Sequence, residues 1–405
     1  MAAGALQHVA MGYQLLWNAQ RQIAGVQLCL DTLPGIQPHT YALLAELQKL
    51  WSPLAPPLLL STPHPTLLMD LLEHTPSALA RVEVLAELLS HPALPQYVQQ
   101  AQKRGLRMVW RGQPGERPLP AWASCFSQNT LNLTAEEALQ ALRASLRRPN
   151  SLPSLRQRSP VREGQIYDGI ASQALAEHCL DEQAAAALLG WPMEDVLYSY
   201  RQTHLQPDQE VILKLIDSID ADNGMDEIEH RLGQDPLLSY RFLRYINSAS
   251  LGLPQHIDSL RQGLMVLGLS RTKQWLLELL HHASSHLNLQ PVRQAMVLRA
   301  RFMTHLLDTG QSEALKRELY LCGLLSQIDL LVFQSMPGAL RAMHLPHRVK
   351  EALLTQDGPY WPYLDIAMAV EMPRLDTVKI CSLQHGFNPQ DINLALLHTL
   401  AILKF

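Results

Sequence analysis

Histidines and cysteines are the residues of this 405-residue chain with the clearest capacity for chemistry. His281, His282 and His286 cluster, and the last two stand four apart, the spacing at which two imidazoles share a helical face and can chelate one ion. A catalytic metal would also need a third ligand and an open coordination position, so the cluster reads as a polar helix end facing water. His178 and Cys179 are adjacent and point in different directions around a helix, which disfavours joint ligation. Cys322 sits among apolar neighbours, as a buried structural thiol does. There is no GxSxG, no P-loop and no GxGxxG opening a helix after a strand. No metal and no cofactor are expected. Asn247, Ser248 and Arg271 are polar loop and cap residues suited to recognising a partner; simple capping and loop satisfaction is the alternative reading.

The elements that carry these residues are best punctuated between Asp235 and Leu280. Asp235-Pro236 is an N-cap followed by proline at the first helical position. Leu238, Phe242, Tyr245 and Ile246 share a face, and the polar run Asn247 to Gly252 ends the helix. Asp258 or Ser259 caps a second helix with a Leu260, Leu264, Leu267 stripe; Gly268 closes it and Ser270 opens a third. Upstream, Tyr13–Leu16 and Gly25–Leu30 read as two strands joined by a turn. Helices at Tyr41–Leu50, Thr66–Leu72 and Gln96–Lys103 then alternate with strands at Leu58–Leu60, Ala80–Leu85 and Leu106–Trp110, which implies a parallel α/β domain.

From Ala138 to Arg162 there are no acidic residues but six arginines, Arg143, Arg147, Arg148, Arg156, Arg158 and Arg162, interrupted by Pro149, Pro153 and Pro160. This reads as a domain boundary, with a solvated linker preferred over a nucleic-acid arm because no aromatic residues are interleaved for stacking. The following segment reads as helical, including Ala184–Leu189. A helix-turn-helix there would lead with Glu194 and Asp195, unfavourable against a DNA backbone. Nucleic acid is therefore not an expected partner.

Bulk composition agrees with soluble domains. At 47% hydrophobic and 17% charged the chain can bury sizeable cores, and its length suggests two or three domains. A formal net charge of -4 gives no global attraction to nucleic acid or anionic membrane. The five separated cysteines lack any CxxC pair and suit a reducing cytoplasm. The N-terminus lacks a basic segment followed by an apolar stretch, and Ser326, Gln327 and Asp329 interrupt the apolar run Leu319–Phe333, so no membrane span is expected.

The order Asp235, Leu238, Leu243, Asn247-Ser248-Ala249, Ile257, Ser259, Gln262, Leu267-Gly268 resembles the signature of the HDOD domain, a bacterial helical signalling module related to the HD phosphohydrolases. Cys322–Leu331, Met336 and Leu345–Leu354 resemble the second half of that module, which is expected to run to residue 405. Gly263 stands where that family usually has alanine. The first part of the chain, with YQLLWNAQRQIAGVQLCL, resembles the EAL domain, a barrel-like cyclic di-GMP phosphodiesterase. The expected fold class is thus an eroded EAL-like α/β domain (1–140), a basic Pro-rich linker (141–165), a helical connecting segment (166–205) and an all-α HDOD module (206–405).

The resemblance implies positions for metal ligands, and this chain departs from them. Gln27-Leu28-Cys29 replaces Glu-Ala-Leu, Ser61 and Thr62 stand in place of an asparagine, and Arg111-Gly112 replaces two aspartates. Only Glu83 matches a ligand, and on its own it reads as a solvent-facing or paired strand residue. An amide lacks the charge that offsets dehydration of Mg²⁺ or Mn²⁺, and an arginine sets a cation against cations. The His-Asp dyad of the HD enzymes falls at Ser326-Gln327, with Asp329 displaced from it. The resemblance therefore implies no catalytic residues and a cytoplasmic, non-enzymatic regulator that holds protein partners. The alternatives are a cyclic di-GMP sensor without hydrolysis, with Arg111 on phosphate, or a residual phosphodiesterase or phosphohydrolase.

Overall fold

A computed structural model describes residues 4–35, 39–146, 159–251, 256–307, 310–341 and 343–403. Two compact units emerge, one comprising 1–195 and 369–405, the other 196–368. The first is a closed eight-stranded barrel: β1 (Val9–Trp17), β2 (Ile23–Thr32), β3 (Leu58–Ser61), β4 (Ala80–Leu85), β5 (Met108–Arg111), β6 (Gln128–Asn132), β7 (Ile166–Asp168) and β8 (Ala187–Leu189). β1 is antiparallel to both its neighbours, β2 and β8, whereas β2 to β8 run parallel. Helices cover the outside of the parallel strands, so these are buried on both faces and read as short apolar runs such as LLLS and MVWR. Leu16, Leu59, Val109, Ile166, Ala187 and Leu189 form an apolar cluster contributed by five of the strands.

The seam between β1 and β8 is stapled locally. Arg21, in the β1–β2 turn, pairs with Asp181 at 2.5 Å, and Trp17 meets the Trp191 ring edge-on at 6.5 Å between centroids. The last helices also belong to this unit. Asn393 donates to the carbonyls of Leu6 and Val9 at 2.7 and 2.8 Å, and Lys379 reaches Asp31 at 2.5 Å. Gly12 makes the approach possible: a Cβ there would lie 2.5 Å from Leu375 and 3.0 Å from the Val370 carbonyl.

Three expectations are corrected by this arrangement. Val161 is buried in a core cluster with Ala141, Tyr167 and Leu188, so both described ends of 141–165 belong to the barrel unit and not to a domain boundary; Arg147, Arg148, Arg156, Arg158, Pro149 and Pro153 lie outside the described residues. The segment 166–205 is no helical connector, because it supplies β7 and β8. Ala187–Leu189 is a strand where a helix was expected, which removes the helix-turn-helix reading. The helical unit ends near residue 368, since 369–405 packs on the barrel.

The second unit is all helical between Gln209–Asp220 and the helix that starts at Trp361. Asp235 caps Pro236–Ile246 as expected, accepting from Leu238 N–H at 2.6 Å, and Ser259 caps Leu260–Leu267. Gly268, at φ +77°, both ends that helix and opens Leu269–Leu280, one residue before the expected stretch begins, so Ser270 lies inside the helix. The long helix Gln290–Leu306 is buried along much of its length. Its Arg293 pairs with Asp208 at 2.8 Å and with Asp235 at 3.3 Å, deep in the unit.

Candidate functional site

Parallel barrels present chemistry at the carboxyl ends of their strands. Here that rim carries Ser61, Arg111 and Asp168, the last residues of β3, β5 and β7. Glu83 on β4 lies beneath them, fully buried. Gln27 Nε2 donates to its Oε2 at 2.7 Å, Ser61 Oγ donates to the same oxygen at 2.7 Å, and Thr130 Oγ1 donates to Oε1 at 3.0 Å. β2 and β4 are not neighbours, so the Gln27–Glu83 bond crosses the barrel interior. Arg111 lies 3.5 Å from Glu83 and also ion-pairs with Asp168. Burial alone would push the Arg111 guanidinium down, but Glu83 and Asp168 together carry it up. Burial, reinforced by Glu83, pushes the nearby Cys29 thiol up to about 12.

The residues read from the sequence are thus brought together, and their roles become definite. Glu83 is paired and buried, not solvent-facing. Gln27 is likewise buried against it. Arg111, expected to be available to phosphate, has its guanidinium engaged by two carboxylates. Thr130 and Asp168 were missed, because QNTLN is polar for a strand and IYD stands in a segment read as helical. Among the described residues no cluster of three or more His, Cys, Asp and Glu is arranged to hold a metal ion.

In the helical unit, the dyad position holds Ser326, whose Oγ accepts from Arg299 at 2.8 Å and donates to the Gly323 carbonyl at 2.7 Å. Burial pushes the Asp329 carboxyl up. His281, His282 and His286 are all exposed; His281 Nδ1 contacts the Leu277 carbonyl at 2.9 Å, and the His286 ring lies 5.0 Å from Tyr200. Asn247 ties off the loop after its helix, donating to the Leu243 and Ile257 carbonyls and accepting from Ile257 N–H at 2.8 Å. That is the capping role, with both ends of its amide in use. Ser248 N–H bonds to the Tyr245 carbonyl, and Arg271 is exposed.

None of those three lines a concavity of about 520 Å³ between the helices Met225–Leu232, Leu260–Leu267 and Glu313–Leu325. Met265 is 63% exposed on its wall. Around it Arg261 and Arg317 reach Glu229 at 3.2 and 3.1 Å. The Met265 side chain was not singled out from the sequence, because its place in the Leu260, Leu264, Leu267 helix only marks it as off the buried stripe.

Residues 205–352 match the family model of the HDOD domain, so the helical unit contains an HDOD domain. An uncharacterized protein, YuxH, of Bacillus subtilis is 28% identical over 151 residues, 36% of this chain and 36% of that protein. The cyclic di-GMP phosphodiesterase CdgJ of Vibrio cholerae is 24% identical over 198 residues, 49% of this chain and 46% of its own. The chain therefore spans less than half the length of these curated relatives. Among solved structures, the cGMP-bound EAL enzyme Bd1971 matches at TM-score 0.30 and 11% identity, covering 47% of this chain and 62% of that one. The expected succession of a barrel-like α/β domain and an HDOD-containing helical region is what the chain has. Among the described residues no helix is long and apolar enough to cross a membrane.

Proposed function

We propose that this chain is a cyclic di-GMP signalling protein whose barrel does not hydrolyse the dinucleotide and whose HDOD domain acts by holding a protein partner. The observation that carries the reading is the position of Arg111. Its guanidinium lies between Glu83 and Asp168, and the remaining donors to Glu83 are an amide and two hydroxyls. These residues do not fit a pair of divalent cations. Two-metal phosphoryl chemistry needs several carboxylates with free lone pairs around the ions, whereas a fixed cation already balances the two acidic side chains here. A dinucleotide phosphate would have to compete with those carboxylates for Arg111.

For the partner-holding half, the Met265 cleft combines an exposed flexible thioether with charged walls, a surface that suits an amphipathic helix. The test uses the full chain. Incubated with cyclic di-GMP and Mg²⁺ or Mn²⁺, it should release no linear dinucleotide by chromatography; turnover would sink the non-enzymatic reading. Calorimetry with the same ligand separates binding from inertness. In parallel, Met265→Glu should abolish capture of partners from a native lysate while the circular dichroism spectrum is retained. Undiminished capture would remove the cleft from consideration.

A further inference from the structure

The helical unit contains another concavity, of about 380 Å³, unlike the barrel rim or the Met265 cleft in its lining. Arg241 and Arg244 stand three apart on Pro236–Ile246, with Tyr240 and Tyr245 beside them, and Phe333 lines the pocket from the end of the helix Ile328–Val332. Among the described residues no aspartate or glutamate lines it. Arg241 donates to the Leu205 carbonyl at 3.0 Å, and Arg244 donates to the Tyr240 hydroxyl at 3.3 Å with its guanidinium 5.4 Å from the Tyr240 ring. Among the described residues neither arginine forms an ion pair with a carboxylate. Burial pushes the Arg241 guanidinium down and the Arg244 charge adds to this, against the through-space pull of Asp235.

Phe333 adds an independent observation. It closes its helix in the left-handed region, at φ +52° and ψ +45°, and the next N–H, of Gln334, bonds back to the Asp329 carbonyl at 3.2 Å. Glycine is the residue that this backbone favours, and a side chain with a Cβ is strained there. Its side chain is 37% exposed and faces the pocket. Tyr245, by contrast, is held in place by stacking on Trp275, with centroids 5.4 Å apart and planes at 15°.

We propose that this pocket binds a small anion bearing a planar ring, of the nucleoside monophosphate class, with the phosphate on Arg241 and Arg244 and the ring against Phe333. Guanidiniums recognise phosphate through charge-assisted, planar hydrogen bonds, and aromatic faces accept a nucleobase by stacking. The volume lies at the low end of ligand pockets and suits one nucleotide better than two. The inference does not depend on whether the barrel hydrolyses anything.

Calorimetry of the full chain with AMP and GMP, against inorganic phosphate and cyclic di-GMP, tests it. At least one mononucleotide should bind saturably at one site, and Arg244→Gln should weaken it by about tenfold or more, a loss of the size expected for a charge-assisted contact. Phe333→Gly should weaken it as well while leaving the melting temperature unchanged or higher, since glycine relieves the left-handed strain. The proposal is overturned if neither mononucleotide binds in the millimolar range, or if both variants bind as the parent does. It is also overturned if inorganic phosphate binds as tightly, or if cyclic di-GMP is preferred and both substitutions leave its binding unchanged.

Discussion

Two buried clusters in this chain have the same composition, one arginine between two carboxylates, and opposite construction. In the barrel, Glu83 receives side-chain donors from three other strands, and Arg111 and Asp168 remain 23% and 16% exposed at the rim. In the helical unit, Arg293, Asp208 and Asp235 are almost wholly buried, and the carboxylates also accept backbone N–H groups, Asp208 from Val211 and Asp235 from Leu238 and Asp208. Burial pushes the Asp235 carboxyl up against the opposing pull of Arg293. The helical cluster caps helices and cannot change without loosening them. In the barrel cluster Glu83 accepts from side chains alone and only Asp168 takes a backbone N–H, from Gly169 just past its strand, so Gln27, Ser61 and Thr130 can be exchanged without undoing a strand. Location and donor type, more than residue type, separate a rim cluster from a structural pin.

The comparison breaks most easily at Arg293. Arg293→Met leaves two carboxylates buried without a cation and should cost about 3–5 kcal/mol, read as lost hydrogen-exchange protection in the helices that Asp208 and Asp235 cap. Unchanged protection would mean the cluster is no pin. Arg111→Met should cost less, about 1–2 kcal/mol, because Glu83 keeps three neutral donors and the arginine is partly solvated. An equal loss at both sites would collapse the distinction. Gly263→Ala should destabilise the helical unit by about 1 kcal/mol in urea unfolding, since overpacking outweighs the gain in helix propensity. Its Cβ would fall 2.7 Å from the buried Phe242 ring, which Trp275 holds at 5.5 Å between centroids.

The smallest effect concerns the thiols. Cys29 in the barrel and Cys322 in the helical unit are both pushed up to about 12 by burial. Below the ordinary thiol value of 9.0 both states keep the proton, and the stabilisation it confers is complete; as pH rises from there toward 12 the unfolded chain ionises first and stability falls. Both should therefore resist iodoacetamide at mildly alkaline pH, by peptide mass spectrometry, while Cys125 is labelled sooner. Rapid labelling of Cys29 alone would mark the barrel rim as the more open of the two.

The legible parts of the fold were those where local chemistry and tertiary role agree. Ala80–Leu85 and the Asp235 cap were placed by alternation and capping alone, and the second cap was narrowed to Asp258 or Ser259, of which Ser259 is the one. β6, β7 and β8 were not. They are three to five residues long, and their strand character comes from neighbours on either side in the barrel, which no window of sequence contains. The same limit applied to the site. Gln27 and Glu83 lie within readable strands, and Ser61 and Arg111 directly follow the readable stretches Leu58–Leu60 and Leu106–Trp110. Thr130 and Asp168 lie on the strands that were missed. The pairing of Arg293 with Asp235 joins positions far apart in sequence, so the cap was visible and its ionic partner was not.

The hydrogen bonds from Asn393 to Leu6 and Val9 span 387 and 384 residues of chain. During synthesis the first strand leaves the ribosome long before the side chain that ties it down exists. The intervening HDOD segment emerges after all eight barrel strands and before the last helices that pack on them. A fragment cut at residue 206 and carried to 405 would take the barrel's last two helices with it, leaving apolar faces bare on both pieces. Dissection of this protein into separately expressed halves therefore requires a cut near residue 368 as well as one near 195.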